Sequence, residues 1–141
     1  MTPEAEIWEA LHTHLRSVFE RDPGMYRATT AEDLSLYEWF ITPHRQDGLP
    51  FHLFMIEHGA MLGDAADYRY DLLTPRLQRY ADTAIVTYTL MLSVATEGTV
   101  THRTHNESRV LVRDNGAWRV VHVHKSPAWQ APLSAPTGTR L

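Results

Sequence analysis

Near the start of the chain the apolar residues Ile7, Leu11, Leu15 and Val18 recur at helical spacing, with Trp8 and Phe19 widening the stripe and His12, Arg16 and Glu20 falling elsewhere. This pattern predicts one amphipathic helix over 3–21. Thr2 can cap it, Pro3 suits its first position, Glu4 and Glu6 favour the positive end of the helix dipole, and Asp22-Pro23-Gly24 stops it. Aromatic and β-favouring residues from Leu34 to Ile41, ended by Thr42-Pro43, predict a first short strand. Between Gly48 and Gly63 the residues Phe51, Phe54, Met55, His58, Met61 and Leu62 return to helical spacing, which predicts a second helix with Pro50 in its first turn. Three long β-rich stretches follow, Tyr68 to Tyr80, Thr83 to Thr96 and Val100 to Arg113, then a shorter one from Trp118 to Ser126. Turn signals at Ala81-Asp82, Glu97-Gly98 and Asp114-Asn115-Gly116 separate them, so neighbours should pair antiparallel. Helices first and a long meander after them predict an α+β domain, in which N-terminal helices cover one face of a strongly curved antiparallel sheet.

The chain has 141 residues, which fits one domain, with no room for a second. Residues 1–127 form that domain, and from Pro127 the chain turns to Pro, Ser, Thr and Gly, so 128–141 read as a weakly ordered tail. A net charge of -4 without clustered basic residues excludes nucleic acid and anionic membranes as expected partners. There is no cysteine, hence no disulfide, thiol nucleophile or thiolate metal site. No stretch approaches the ~18 apolar residues of a membrane span, and the acidic N-terminus lacks a basic segment and apolar run, so a soluble, cytoplasmic protein is expected.

Asn106-Glu107-Ser108-Arg109-Val110, then Asp114-Asn115-Gly116, Trp118 and Val121-His122-Val123-His124-Lys125-Ser126, resemble a known signature. It is that of the association (hub) domain of calcium/calmodulin-dependent protein kinase II: a Glu-x-Arg-Val strand, a turn, a Trp and a Val-His-x-His-basic-Ser strand. Gly48-Leu49-Pro50-Phe51-His52-Leu53-Phe54 is similar to that family's Gly-x-x-Phe-His-x-Phe helix start, and Thr74-Pro75 stands at its Asn-Pro position. The resemblance implies a cone of the NTF2-like (SnoaL-like) superfamily that self-associates as a homodimer or larger homo-oligomer, with a deep pocket lined by basic residues. With no kinase or calmodulin-binding segment in the sequence, ring assembly for kinase activation is not expected. Lys125 stands where the family often has Arg, which keeps the charge but gives up the planar fork.

Arg109 lies mid-strand beside Val110, Leu111 and Val112, where a guanidinium must find a partner or face a water-filled cavity. Two roles stay open: contact with a ligand, and an internal ion pair with Glu107 two positions away on the same face. Register decides its company. A two-residue Asn115-Gly116 turn sets Arg109 opposite His122. A three-residue Asp114-Asn115-Gly116 loop sets it opposite Val121, on one face with Val123 and Lys125. The second is preferred, because Trp118, Val120, Val110 and Val112 then share the opposite face and because the resemblance implies it; His122 and His124 then face outward. The resemblance also implies that His52 points into the pocket; the alternative is a helix-start residue bonded to backbone. Arg109, Lys125 and His52 together would bind a small carboxylate or phosphate-like anion, and Tyr88 would add a hydroxyl.

Nine histidines raise the question of metal, but His102 and His105 face opposite sides of their strand, leaving at most one with the His122-x-His124 pair. No metal or cofactor is expected. Enzymes of the same cone fold suggest an alternative, with Glu107, Glu38 or Asp71 as base and His52 or Tyr88 as proton donor. A Glu107 beside Arg109 would be a poor base near neutral pH. The expectation is therefore an oligomerising domain with an anion pocket formed by His52, Tyr88, Glu107, Arg109 and Lys125. The further alternative is a pure assembly module.

Overall fold

The computed structural model describes residues 1–58 and 67–128. Helix α1 runs Pro3–Phe19, and Thr2 Oγ1 accepts a hydrogen bond from the Ala5 amide at 3.1 Å, as its capping position predicts. Asp22-Pro23-Gly24 ends α1 and at once begins another helix, α2, Pro23–Ala28, with Asp22 Oδ1 accepting from the Met25 amide at 3.0 Å. Six residues are too few to leave a periodic signal, so the sequence pattern showed only the stop.

Strand β1, Thr30–Glu38, begins earlier than predicted, and Thr42-Pro43 opens a strand, β2, Thr42–Asp47, that was not predicted. β2 is polar and lies at the edge of the sheet, where a proline costs no interior ladder bond. Helix α3, Leu49–Glu57, starts from Gly48 at φ 94°, a conformation only glycine takes readily, with Pro50 in the first turn. Met61 and Leu62 of the predicted second helix, and the tail from residue 129, lie outside the described residues. β3 Asp67–Tyr80, β4 Thr83–Thr96, β5 Thr99–Asp114 and β6 Ala117–Pro127 match the four predicted stretches.

The six strands form one open sheet in the order β2-β1-β6-β5-β4-β3. All neighbours run antiparallel except β1 and β6, which are parallel. Along β4, Ala84, Val86, Tyr88, Leu90 and Leu92 are buried while the residues between them are half-buried, the period of two that a sheet covered on one face requires. Ile7, Leu11, Leu15 and Val18 of α1, with Leu49, Leu53 and Ile56 of α3, complete the core over that face. Among the described residues no helix is long and apolar enough to cross a membrane.

The β5–β6 hairpin corrects both predicted registers. Asp114 pairs with Ala117 across a two-residue Asn115-Gly116 turn with φ of 50° and 80°. The register then shifts, Leu111 pairing with Val120 but Val110 with His122, so Val121 is an inserted bulge residue. Arg109 consequently faces Val123, neither His122 nor Val121. The bulge reverses the parity of β6. Arg109, Val123 and Lys125 share a face as expected, but Trp118 and Val120, expected on the opposite face, are buried on this same inner one. The outer face keeps Ile85, Val110 and Val112, all half-buried.

Candidate functional site

Pairing in the sheet centre brings the charges together. On β1 the inward positions are Leu34, Leu36 and Glu38; on β5, His105, Glu107, Arg109 and Leu111; on β6, Val123 and Lys125. Lys125 pairs with Glu38 on one side and Glu107 on the other, so one ammonium lies between two carboxylates. Its Nζ donates to Glu38 Oε2 at 2.7 Å and lies 4.0 Å from Glu107 Oε2. Glu38 Oε1 also meets His52 Nε2 at 3.2 Å and accepts from Gln46 Nε2 at 3.4 Å.

Glu107 is the second centre. Arg109 Nη1 donates to its Oε1, Tyr88 OH donates to the same oxygen at 2.6 Å, and His105 Nε2 meets Oε2 at 2.5 Å. Arg109 Nη1 also donates to Tyr88 OH at 2.7 Å. Tyr88 sits directly across from Glu107 on β4. Every member of this network is buried, Glu107, Arg109 and Lys125 being no more than 3% exposed. The five expected pocket residues, His52, Tyr88, Glu107, Arg109 and Lys125, therefore lie in one cluster. Arg109 has the ion pair with Glu107, and His52 faces a carboxylate.

The electrostatics follow from that arrangement. Burial pushes the Glu38 carboxyl up, but Lys125 and the hydrogen bond from His52 outweigh it and hold the group well below its ordinary 4.5. Burial likewise raises Glu107, and Arg109, His105 and Lys125 together bring it well below the same value. Arg109 is lowered by burial and raised more by Glu107 and Tyr88, so it stays charged. Burial pushes the Tyr88 phenol well above 10.0, so it remains a donor. The two fixed cations are thus matched by two carboxylates. Both carboxylates are held ionised, which leaves them weak bases near neutral pH.

Buried polar atoms of this interior with no partner among the described residues include Arg109 Nε, His52 Nδ1, His14 Nε2 and Gln46 Oε1. His14, on α1, is fully buried, with Nδ1 3.1 Å from Thr29 Oγ1 and 3.2 Å from Thr30 Oγ1. Burial lowers its pKa well below 6.5, and Arg109, His52 and Lys125 lower it further, so it is neutral. The Tyr26 ring lies between the two imidazoles, 4.7 Å from His14 and 5.1 Å from His52.

Asp71, a candidate base, is not in the cluster; it pairs with Arg69 at 3.0 Å on β3. His122 and His124 face outward, the first 2.8 Å from Ser35 Oγ and the second against Tyr37, and His102 is exposed beside Ser93. Among the described residues no three metal-ligating side chains are grouped to hold an ion. His14, Tyr26, Gln46 and His105 were not among the expected site residues, and Glu38 entered only as a base. Position carried a signal for three of them. His14 falls on the α1 stripe with Leu11, Leu15 and Val18; Glu38 follows Leu34 and Leu36 at period two; His105 precedes Glu107 and Arg109 at period two.

An open six-stranded sheet with N-terminal helices packed on one face, enclosing a polar cluster, defines a domain of the NTF2-like cone class. The chain belongs to the calcium/calmodulin-dependent protein kinase II association domain family, whose sequence profile matches residues 3–129. Among solved structures it is similar to the CaMKII hub of S. rosetta, at 26% identity and a TM-score of 0.77 over 91% of this chain and 98% of that one. The CamKII hub homology domain of Chlamydamonas reinhardtii superposes at a TM-score of 0.81 with 19% identity, over 91% of this chain and 100% of that one. An NTF2-like superfamily protein of Salmonella enterica superposes at 0.71 with 22% identity, over 97% and 96%. A comparison with curated proteins finds no significant match.

Proposed function

We propose that the chain is a self-associating hub-type domain whose interior charge cluster receives a small carboxylate-like anion. Arg109 Nε carries the ligand part of the reading. It is a charged N–H, in a residue 2% exposed, that no described protein group accepts from. Leaving such a donor unmade costs about 1–3 kcal/mol or more, so an acceptor belongs there. An added anion brings one negative charge to a cluster in which Arg109 and Lys125 already balance Glu38 and Glu107. His52 Nδ1 is a further ring nitrogen of the same interior that is unpartnered among the described residues.

Self-association is supported by family membership and by the half-buried apolar residues on the outer sheet face. The depressed carboxylates speak against a proton-abstracting role. Acetate, butyrate and inorganic phosphate titrated into the wild type and Arg109→Lys, with thermal midpoint and sedimentation mass recorded together, test both parts. Arg109→Lys keeps the charge and removes Nε–H. The expected result is a raised midpoint in the wild type, lost in the folded variant at unchanged mass. If no anion raises the midpoint, the domain is an association module without a ligand. A monomeric mass at micromolar concentration would sink the self-association.

A further inference from the structure

A groove follows the seam between α1 and the edge strand β3. It has a volume of about 370 Å³ and is lined by Trp8, His12, Tyr70, Asp71, Leu72 and Pro75, none of which belongs to the interior charge cluster. Trp8 and His12 are four residues apart and so share one flank of the helix. On β3 the register passes from Leu73 opposite Thr89 to Arg76 opposite Thr87, so Thr74 and Pro75 together face one residue of β4. Thr74 takes a φ of 45° there, and such a bulge bends the edge strand where the groove lies. His12 Nδ1 meets Tyr70 OH at 2.8 Å and the two rings stack at 5.9 Å, which fixes both. One turn before Trp8, Glu4 lies 3.9 Å from Arg79 of β3.

We propose that this groove binds an alkylated ammonium ion, with its cation against Trp8, Tyr70 and Asp71 and its alkyl groups on Leu72 and Pro75. The faces of aromatic rings carry negative charge density and attract a cation that has shed part of its water, indole most strongly. Asp71 adds a formal negative charge, and among the described residues the lining holds no lysine or arginine. Its bond to Arg69, a side chain 78% exposed, is of the surface kind that contributes little and is readily exchanged. The other guanidinium groups nearby are engaged elsewhere, Arg79 with Glu4 and Arg16 with Thr13 Oγ1 at 3.3 Å. Along α1 the residues Glu4, Glu6 and Glu9 precede Arg16 with no lysine or arginine among them, so Trp8 stands on the acidic half of the helix. His12 adds no opposing charge near neutral pH, because burial first and Arg16 second lower its pKa below the ordinary 6.5. An inorganic cation would keep its water and gain nothing from Leu72 and Pro75, whereas an alkylated nitrogen touches both. This site is separate from the anion reading, and neither depends on the other.

The test titrates choline and benzyltrimethylammonium, with 3,3-dimethylbutanol as the uncharged isostere of choline, into the wild type, Trp8→Leu and Asp71→Asn. Binding is followed by calorimetry at neutral pH, and sedimentation mass is recorded on each protein. Both cations are expected to bind the wild type at least about tenfold tighter than the neutral alcohol. Trp8→Leu should bring that ratio to within about twofold, and Asp71→Asn should lower cation affinity by about threefold or more. Trp8 also packs on the core, so Asp71→Asn, which keeps the shape of a half-buried side chain, decides the matter if Trp8→Leu fails to fold. Equal affinity for choline and its neutral isostere would overturn the proposal, as would cation binding left unchanged in either folded variant. A wild type that binds neither cation would overturn it too. A smaller mass in either variant would make the groove a contact between copies of the chain and overturn the ligand assignment.

Discussion

Glu107→Ala is expected to lower the free energy of unfolding by about 3–5 kcal/mol, because it removes the anion that holds a fully buried guanidinium. Arg109 is 2% exposed and gives its Nη1 to Glu107 and Tyr88. Without the carboxylate, Tyr88 and His105 also lose their shared acceptor. Against a typical total of about 5–15 kcal/mol, such a loss would be visible as a large fall in the urea midpoint. The double variant Glu107→Leu with Arg109→Met should be much less damaged than Glu107→Ala. Removing both charges abolishes the desolvation cost along with the attraction. A loss below about 1 kcal/mol in Glu107→Ala would mean that Arg109 finds another anion, with Glu38 at the far side of Lys125 the nearest candidate. A double variant as unstable as the single one would show that the hydrogen bonds, rather than the charges, hold the sheet centre.

The long elements were legible because each carries its own period. Ile7, Leu11, Leu15 and Val18 space as one helical stripe, and the residues of β4 alternate without a break, so the bounds of that strand are those its composition predicts. What failed was short or was set from a distance. β2 has no alternation to read, and its Pro43 looks like a stop unless the strand is known to lie at an edge. The parallel pairing of β1 with β6 joins segments far apart in the chain, and no local signal announces it. The bulge at Val121 is the clearest case. Nothing in Trp118-Arg119-Val120-Val121-His122 distinguishes an inserted residue from a regular one, yet that single insertion decides which residues of β6 face inward.

The same bulge governs how much of the site could be read. The expected face shared by Arg109, Glu107 and Lys125 agrees with the structure because beyond Val121 the shift from the shorter turn and the shift from the bulge cancel in parity. Trp118 and Val120 lie before the bulge, where only the turn differs, and so face inward instead of outward. Glu38 and His52 come from β1 and α3, and their convergence on Lys125 depends on the parallel β1–β6 pair. The sequence shows a buried guanidinium with one carboxylate beside it. It does not show that a second carboxylate arrives from another strand and balances the second cation. The pocket expected to be basic is therefore a neutralised cluster with unused donors, which changes how an anion would bind.

Acidification should unfold the domain in two stages, and the first belongs to His14. A histidine whose folded pKa lies well below 6.5 stays neutral in the folded state, while the unfolded chain takes up a proton as pH drops through 6.5. The unfolded state then binds more protons, so stability falls as pH falls from that value. His12, lowered by burial and by Arg16, adds a smaller contribution of the same sign. The second stage belongs to Glu38 and Glu107. Their folded pKa values are depressed, so their contribution is complete above the ordinary 4.5 and is lost as pH falls from there toward the folded values. Each group adds a slope of at most about 1.4 kcal/mol per pH unit. Urea midpoints of the wild type should decline from pH 7.5 to 5.5 and more steeply below 4.5. In His14→Leu the decline between 7.5 and 5.5 should shrink, while the steeper fall below 4.5 remains, because the carboxylate network is untouched. A wild type with equal stability at pH 7.5 and 5.5 would rule out the neutral buried state of His14. A variant that still loses as much over that interval would show that His14 is not the source of the acid sensitivity.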